Sequence, residues 1–107
     1  MSEKIVIDKD ILGWADEVKG TLLKGYDKNI IKVGSRQPDG EPPKLPQRSS
    51  DKQIASFCKD NGCDFATGDS TAYIHYFDVG VKTVRITRYD WWKKADKPIF
   101  LIEIVSD

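Results

Sequence analysis

The chain has 107 residues with 17 basic and 17 acidic side chains, so it reads as one domain, 1–107, with a single core and no net charge. That balance argues against a protein that holds nucleic acid by bulk charge alone. No apolar run approaches the roughly 20 residues needed to cross a membrane, and Met1-Ser2-Glu3-Lys4 lacks the basic-then-apolar layout of a signal peptide. The expected location is therefore cytoplasmic, with no membrane partner.

Residues 4–8, Lys-Ile-Val-Ile-Asp, form a short continuous β-branched run and predict a buried strand. Ile11, Ala15, Val18 and Leu22 then repeat with the period of a helix. Asp10 is placed to cap it, and Gly25 to stop it. Residues 29–33 predict a second strand. The segment 34–49 carries Pro38, Pro42, Pro43 and Pro46 and predicts a loop with polyproline-like stretches. With little apolar surface to offset the cost of ordering it, this loop is expected to be mobile and the first site of proteolysis.

Ser50 and Gln53 form a capping-box pattern for a helix that runs to Asn61-Gly62. Residues 64–67 predict a third strand and 71–77 a short helix or turn. Residues 82–87 alternate with period two, as in a strand covered on one face. Asp90-Trp91-Trp92-Lys93-Lys94 reads as a capped helical turn, and 99–105 as a last strand. Strands and helices in alternation predict an α/β domain, a three-layer α/β/α sandwich with a mainly parallel sheet of about five strands. Cys58 and Cys63 have neither redox nor zinc spacing and read as reduced structural thiols. His75, the sole histidine, reads as a surface or partly buried side chain without a catalytic role.

Asp8, Asp51 and Asp69 each stand at an element boundary. In a parallel sheet the carboxyl ends of the strands share one edge, where ligands bind. Asp8 and Asp69 would meet there, and Asp51 would join them if the topology brings its helix start close. Converging carboxylates repel unless a proton or a hard cation neutralises them. Mg²⁺ or Mn²⁺ suits such an oxygen-only site, which points to chemistry on phosphate esters. Thr67, at the third strand's end, is a candidate for bonding a phosphate or a ligand carboxylate. Arg88 is the candidate phosphate clamp, because guanidinium matches phosphate bidentately. Trp91 and Trp92 could stack bases or pack at a partner contact.

Ile7-Asp8-Lys9-Asp10-Ile11-Leu12, Gly25-Tyr26-Asp27, Ser50-Asp51-Lys52-Gln53-Ile54 and Ala66-Thr67-Gly68-Asp69 follow one another in an order that resembles the PIN-like nucleases, the short bacterial and archaeal members above all. The resemblance implies a PIN-like fold and a Mg²⁺- or Mn²⁺-dependent ribonuclease, often the toxin of a toxin–antitoxin pair. It maps Asp8, Asp51 and Asp69 onto the acidic metal-binding positions, with Asp10 or Asp90 as candidates for a further acid. The implied partners are RNA as substrate and an antitoxin protein or a second copy of the chain. Two other readings stand beside it. Asp8-Lys9-Asp10 and Gly68-Asp69-Ser70 resemble the first and last motifs of haloacid-dehalogenase-like phosphatases. A PIN-like fold without a complete acidic site would instead be a binding module, with the proline loop and the tryptophans as its contact surface.

Overall fold

The computed structural model describes residues 3–26 and 29–105. Asp27, part of the Gly-Tyr-Asp motif, lies outside the described residues. The elements are β1 (Lys4–Ile7), a 3-10 turn (Lys9–Ile11), α1 (Leu12–Val18), β2 (Ile30–Lys32), α2 (Asp51–Asn61), β3 (Cys63–Thr67), α3 (Ile74–Asp78), β4 (Val84–Trp92) and β5 (Lys97–Ile104). They build an α/β domain around a five-stranded sheet of order β2-β1-β3-β5-β4.

The sheet is mixed, not mainly parallel. β1 pairs in parallel with β2 and β3, while β5 pairs antiparallel with both β3 and β4. The reversal is dictated by a short connection. Only residues 93–96 join β4 to β5, whereas a parallel crossover needs a dozen or more residues. Asp96 takes the left-handed conformation in that turn (φ 52°), a position an aspartate tolerates. Asp90-Trp91-Trp92 is therefore not a helical turn. It extends β4, past a register shift between Arg88 and Asp90. Its tryptophans are the wide, stiff side chains that favour strands.

The sheet buries side chains on both faces, and alternation assigns them. Val6, Phe65 and Ile102 pack with Ile54, Ala55 and Cys58 of α2 and Tyr76 of α3. Ile5, Ile7, Ala66, Ile99 and Leu101 pack on the opposite face with Ile11, Trp14 and Ala15 around α1. The α2 helix begins where its sequence directs. The Gln53 N–H donates to Ser50 Oγ at 3.1 Å and the Ser50 N–H to Gln53 Oε1 at 2.7 Å. It ends at Gly62, whose φ of 65° is the left-handed conformation that favours glycine.

The first helix is shorter than its periodicity suggests. It stops at Val18, and Leu22 is 39% exposed while Leu23 is fully buried. Gly20 and Thr21 are poor helix formers, and both the N–H and the hydroxyl of Thr21 bond back to the Val18 carbonyl. Gly25 thus lies in a run of turns, not at a helix end. Nor does Asp10 cap the helix. It sits inside the 3-10 turn, and Ile11 holds the α1 cap position.

The proline segment is irregular, as its composition requires, but it is tethered. Leu45 is 5% exposed within the α2-side core, and the Gly34 N–H donates to its carbonyl at 2.8 Å. Gln37 closes an inner turn, bonding Glu41 through its backbone and Pro42 through its side chain. One apolar anchor gives this loop the burial that its composition alone does not suggest.

Candidate active site at the carboxyl edge of the sheet

Asp8 and Thr67 are the residues with which the adjacent parallel strands β1 and β3 reach their carboxyl ends. Register carries them side by side: Ile7 pairs with Ala66, and the Asp8 N–H donates to the Ala66 carbonyl. Both side chains point to the α2/α3 face, because Val6 and Phe65, two residues earlier, do. The Thr67 hydroxyl donates to Asp8 Oδ2 at 2.8 Å and accepts the Asp69 N–H at 3.1 Å. A single buried hydroxyl therefore ties Asp8 to Asp69.

Asp69 is exposed and closes a turn. Its Oδ1 accepts the N–H of Thr71 at 2.9 Å and the Thr71 hydroxyl at 2.8 Å. These bonds hold its carboxyl below the usual carboxylate range. Asp8 is displaced the other way. Burial raises its carboxyl most, and the charges of Asp10 and Asp51 add to the rise; bonds from Thr67 and from the Lys9 backbone oppose it. The hydroxyl thus links the Asp8 carboxylate to the Asp69 backbone, and the two carboxyls at this edge are pushed apart in acidity, a pattern common at reaction centres.

Asp51, the first residue of α2, reaches this edge because the capping box starts the helix there. Its Oδ2 lies 3.4 Å from His75 Nε2. His75 also faces Asp78 at 3.8 Å and helps to hold Asp69 ionised. Asp8, Asp51 and Asp69 therefore share one edge, with Thr67 and His75 between them. His75 was not legible as part of this group. Its only signal is its place on the short helix that follows Asp69.

The reversed strand adds residues that a parallel sheet would have kept away. The start of β5 lies at the carboxyl edge, where Lys97 Nζ comes within 3.4 Å of the Asp10 carbonyl and approaches Gly68. Phe100 pairs with Thr67 on one side and with Arg88 on the other. Asp8, Thr67, Phe100 and Arg88 form one cross-strand row on one face. Arg88 stands two strands from Thr67, roughly 10 Å at about 4.8 Å per strand. Its guanidinium lies 5.1 Å from the centre of the Trp91 ring, which is 41% exposed. Trp92 turns to the opposite face and donates to Glu17. Asp90 goes the same way, accepting the Trp14 indole N–H at 2.8 Å, and does not join the acidic edge.

Among the described residues, no three His, Cys, Asp or Glu side chains converge as a metal cage. Mg²⁺ does not require one, since it keeps several waters and is anchored by one or two carboxylates. The oxygen donors around Asp8, on which the charges of Asp10 and Asp51 act, fit a hydrated Mg²⁺ or Mn²⁺ rather than a zinc ion. No family model matches this chain, and neither a curated protein nor a solved structure matches it.

Proposed function

We propose that this domain is a Mg²⁺- or Mn²⁺-dependent ribonuclease with a PIN-like, three-layer arrangement, acting at the edge that holds Asp8, Asp51 and Asp69. The observation that carries the reading is the Asp8–Thr67–Asp69 chain of hydrogen bonds, with Asp51 near enough to repel Asp8. Asp8 and Asp51 would hold the cation, with the Asp69 oxygen not used in its turn completing the set. When bound, the metal supplies positive charge to the phosphate and acidifies a water.

The remaining work falls to the chain's own side chains. Thr67 fixes the Asp8 carboxylate, and His75 fixes that of Asp51. Arg88, in the same row, is placed to bind a neighbouring phosphate of the strand. Phe100 and Trp91 give an unpaired base an aromatic surface, so single-stranded RNA is the favoured form. Hydrolysis joins the water oxygen to phosphorus and breaks one phosphorus–oxygen bond to ribose. The water gives up a proton, and the departing ribose oxygen gains one. An antitoxin protein or a second copy of the chain would fit as a partner of a toxin-type nuclease.

The test is degradation of a mixed single-stranded and structured RNA pool with Mn²⁺. Asp8→Asn should reduce cleavage by orders of magnitude. Asp69→Asn separates two roles, because asparagine serves the turn nearly as well but removes the charge. Cleavage that survives both substitutions would sink the proposed site. Millimolar Mn²⁺ should also raise the melting temperature, because a ligand of the folded state alone stabilises it.

Lys97 beside Asp10 and Gly68 favours one second reading, a phosphatase of the haloacid-dehalogenase type. There the Asp8 carboxylate would bond to phosphorus as the phosphorus–oxygen bond to the alcohol breaks, Asp10 giving the departing oxygen its proton, and water would then hydrolyse the phosphoaspartate to phosphate and free Asp8. Turnover of a small phosphomonoester that depends on Asp8, with RNA left intact, would select it. If neither substrate is turned over, the binding-module reading stands.

A further inference from the structure

A concave feature that is not lined by Asp8, Asp51 or Asp69 runs along β2 and against α1. It is an open cleft of about 470 Å³, within the span of small-molecule sites. Its charged lining is of one sign. Lys4, Lys19, Lys32, Arg36 and Lys44 all border it, and among the described residues no aspartate or glutamate does. Among the described residues, Asp16 pairs with Lys32, while Lys4, Lys19 and Lys44 meet no carboxylate. In a chain whose total charge is zero, this is a local excess that the whole-chain count conceals.

Such a cluster is costly in an unliganded protein, because like charges in a concavity repel and the walls focus their field. The elements that converge here are far apart in sequence. Lys4 begins β1, Lys19 follows α1, Lys32 ends β2, and Arg36 and Lys44 come from the proline loop. The loop is pinned by Leu45 and by its own turn, so Lys44 is held close to the cleft by its buried neighbour. Between the cations the cleft is apolar, with Ala15, Ile30 and Ile31 in its wall, and the amide of Gln37 lies at its border. Cations for phosphate, an apolar wall for a ring and an amide for a base edge are the complement of a nucleotide.

We propose that this cleft binds a phosphorylated nucleoside, either a free nucleotide or one unit of an RNA strand. The site is separate from the acidic edge and does not depend on it. None of the acids lines the cleft, which wraps the edge of the sheet at β2, with Ala15 and Ile30 from the α1 side and Ile31 from the α2 side. Phosphates would sit among Lys4, Lys19 and Lys44, with the base against Ile30 and Ile31.

The test uses two probes with the full chain in EDTA at low salt, a fluorescent ATP analogue and a short fluorescein-labelled single-stranded RNA, read by anisotropy. The double reversal K19E/K44E should weaken at least one probe by more than about tenfold. The reversal K82E/K93E, which changes net charge equally but lies outside the cleft, should leave it within about twofold. Binding of the ATP analogue identifies a nucleotide site; binding of the RNA alone identifies a strand path. Circular dichroism of each variant confirms folding, and K19Q/K44Q, expected to weaken binding in the same direction, replaces the reversal if that variant unfolds. The proposal is overturned if neither probe binds or if the two reversals weaken binding equally.

Discussion

Thr67→Val is the substitution that asks most of the site. Thr67 is fully buried, and valine matches its shape while removing the hydroxyl. Two hydrogen bonds are lost together, the 2.8 Å donation to Asp8 and the 3.1 Å acceptance from the Asp69 N–H. A bond to a charged group contributes about 1.5–3 kcal/mol and a neutral one about 0.5–1.5, so the expected destabilisation at neutral pH is about 2–4 kcal/mol. For a domain of this size that is a fall in melting temperature of roughly 10 °C or more. The pH dependence gives the reasoning its sign. The folded-state pKa of Asp8 is raised above its unfolded value. As pH rises between the two, the unfolded chain gives up this proton first, and stability is lost. The Thr67 hydroxyl opposes that rise, so its removal widens the window. The deficit of Thr67→Val should therefore be smaller below the unfolded carboxylate range, where the lost bond to the Asp69 N–H still counts, and grow toward pH 7. Urea melts of wild type, Thr67→Val and Thr67→Ser across that range measure it, with serine keeping both bonds. A deficit below about 0.5 kcal/mol, or one equal at both ends of the range, would refute this account of the site.

Asp8→Asn should be more stable than wild type at pH 7, because it removes a carboxylate that burial and the Asp10 and Asp51 charges disfavour; the gain should vanish in acid below the unfolded pKa, as chemical melts at the two pH values will show. Leu45→Ala should cost about 2–4 kcal/mol and turn segment 34–49 into the first site cut by limited proteolysis, whereas the wild-type loop should be protected near its anchor. Both thiols should resist iodoacetamide at pH 8 until the chain unfolds, since both are buried and burial pushes Cys58 up to about 12; prompt labelling in the native state would contradict the packing of α2 on β3. Gly62→Ala should destabilise by about 1 kcal/mol or more in a thermal melt, because its φ of 65° is unfavourable for alanine although no atom crowds the new Cβ.

What the sequence disclosed follows the range of the interactions involved. The capping box of α2 and its terminal glycine are local patterns, and the helix begins and ends on them. The buried strand β1 is a run of apolar residues that needs no distant information, and β3 carries the shorter run Phe65-Ala66 between buried polar residues. The first helix misleads because its 3.6-residue stripe continues past the point where Thr21 turns its bonds back on Val18. Periodicity records which residues could be buried on one face; it does not record a competing local hydrogen bond. The direction of β5 was within reach, because four residues between β4 and β5 permit a hairpin and no crossover. Reading Trp91 and Trp92 as a helical turn concealed the length of β4, and with it the shortness of that connection.

The site divides along the same line. Asp8 and Asp69 could be placed at one edge from the parallel pairing of their strands, whereas the place of Asp51 depends on the topology and follows only from the structure, which brings its charge to bear on Asp8. The contacts that connect them were legible only in three dimensions: Thr67 reads from sequence as a strand-end candidate, but its bond to Asp8 does not. Thr67 acts through register, by standing opposite the residue after Ile7. His75 acts through the packing of α3 on α2, which sets it between Asp51 and Asp69. Asp90 shows the reverse: a carboxylate near the correct strand ends leaves the site because the shift after Arg88 turns it toward Trp14. Without that shift, alternation would put Asp90 on the face of Arg88 and Thr67 and Trp91 on the face of Trp14. One extra residue in an edge strand thus takes an acid from the edge and puts an aromatic ring beside Arg88, changing the far end of the row from a carboxylate that repels phosphate to a surface that can hold a base.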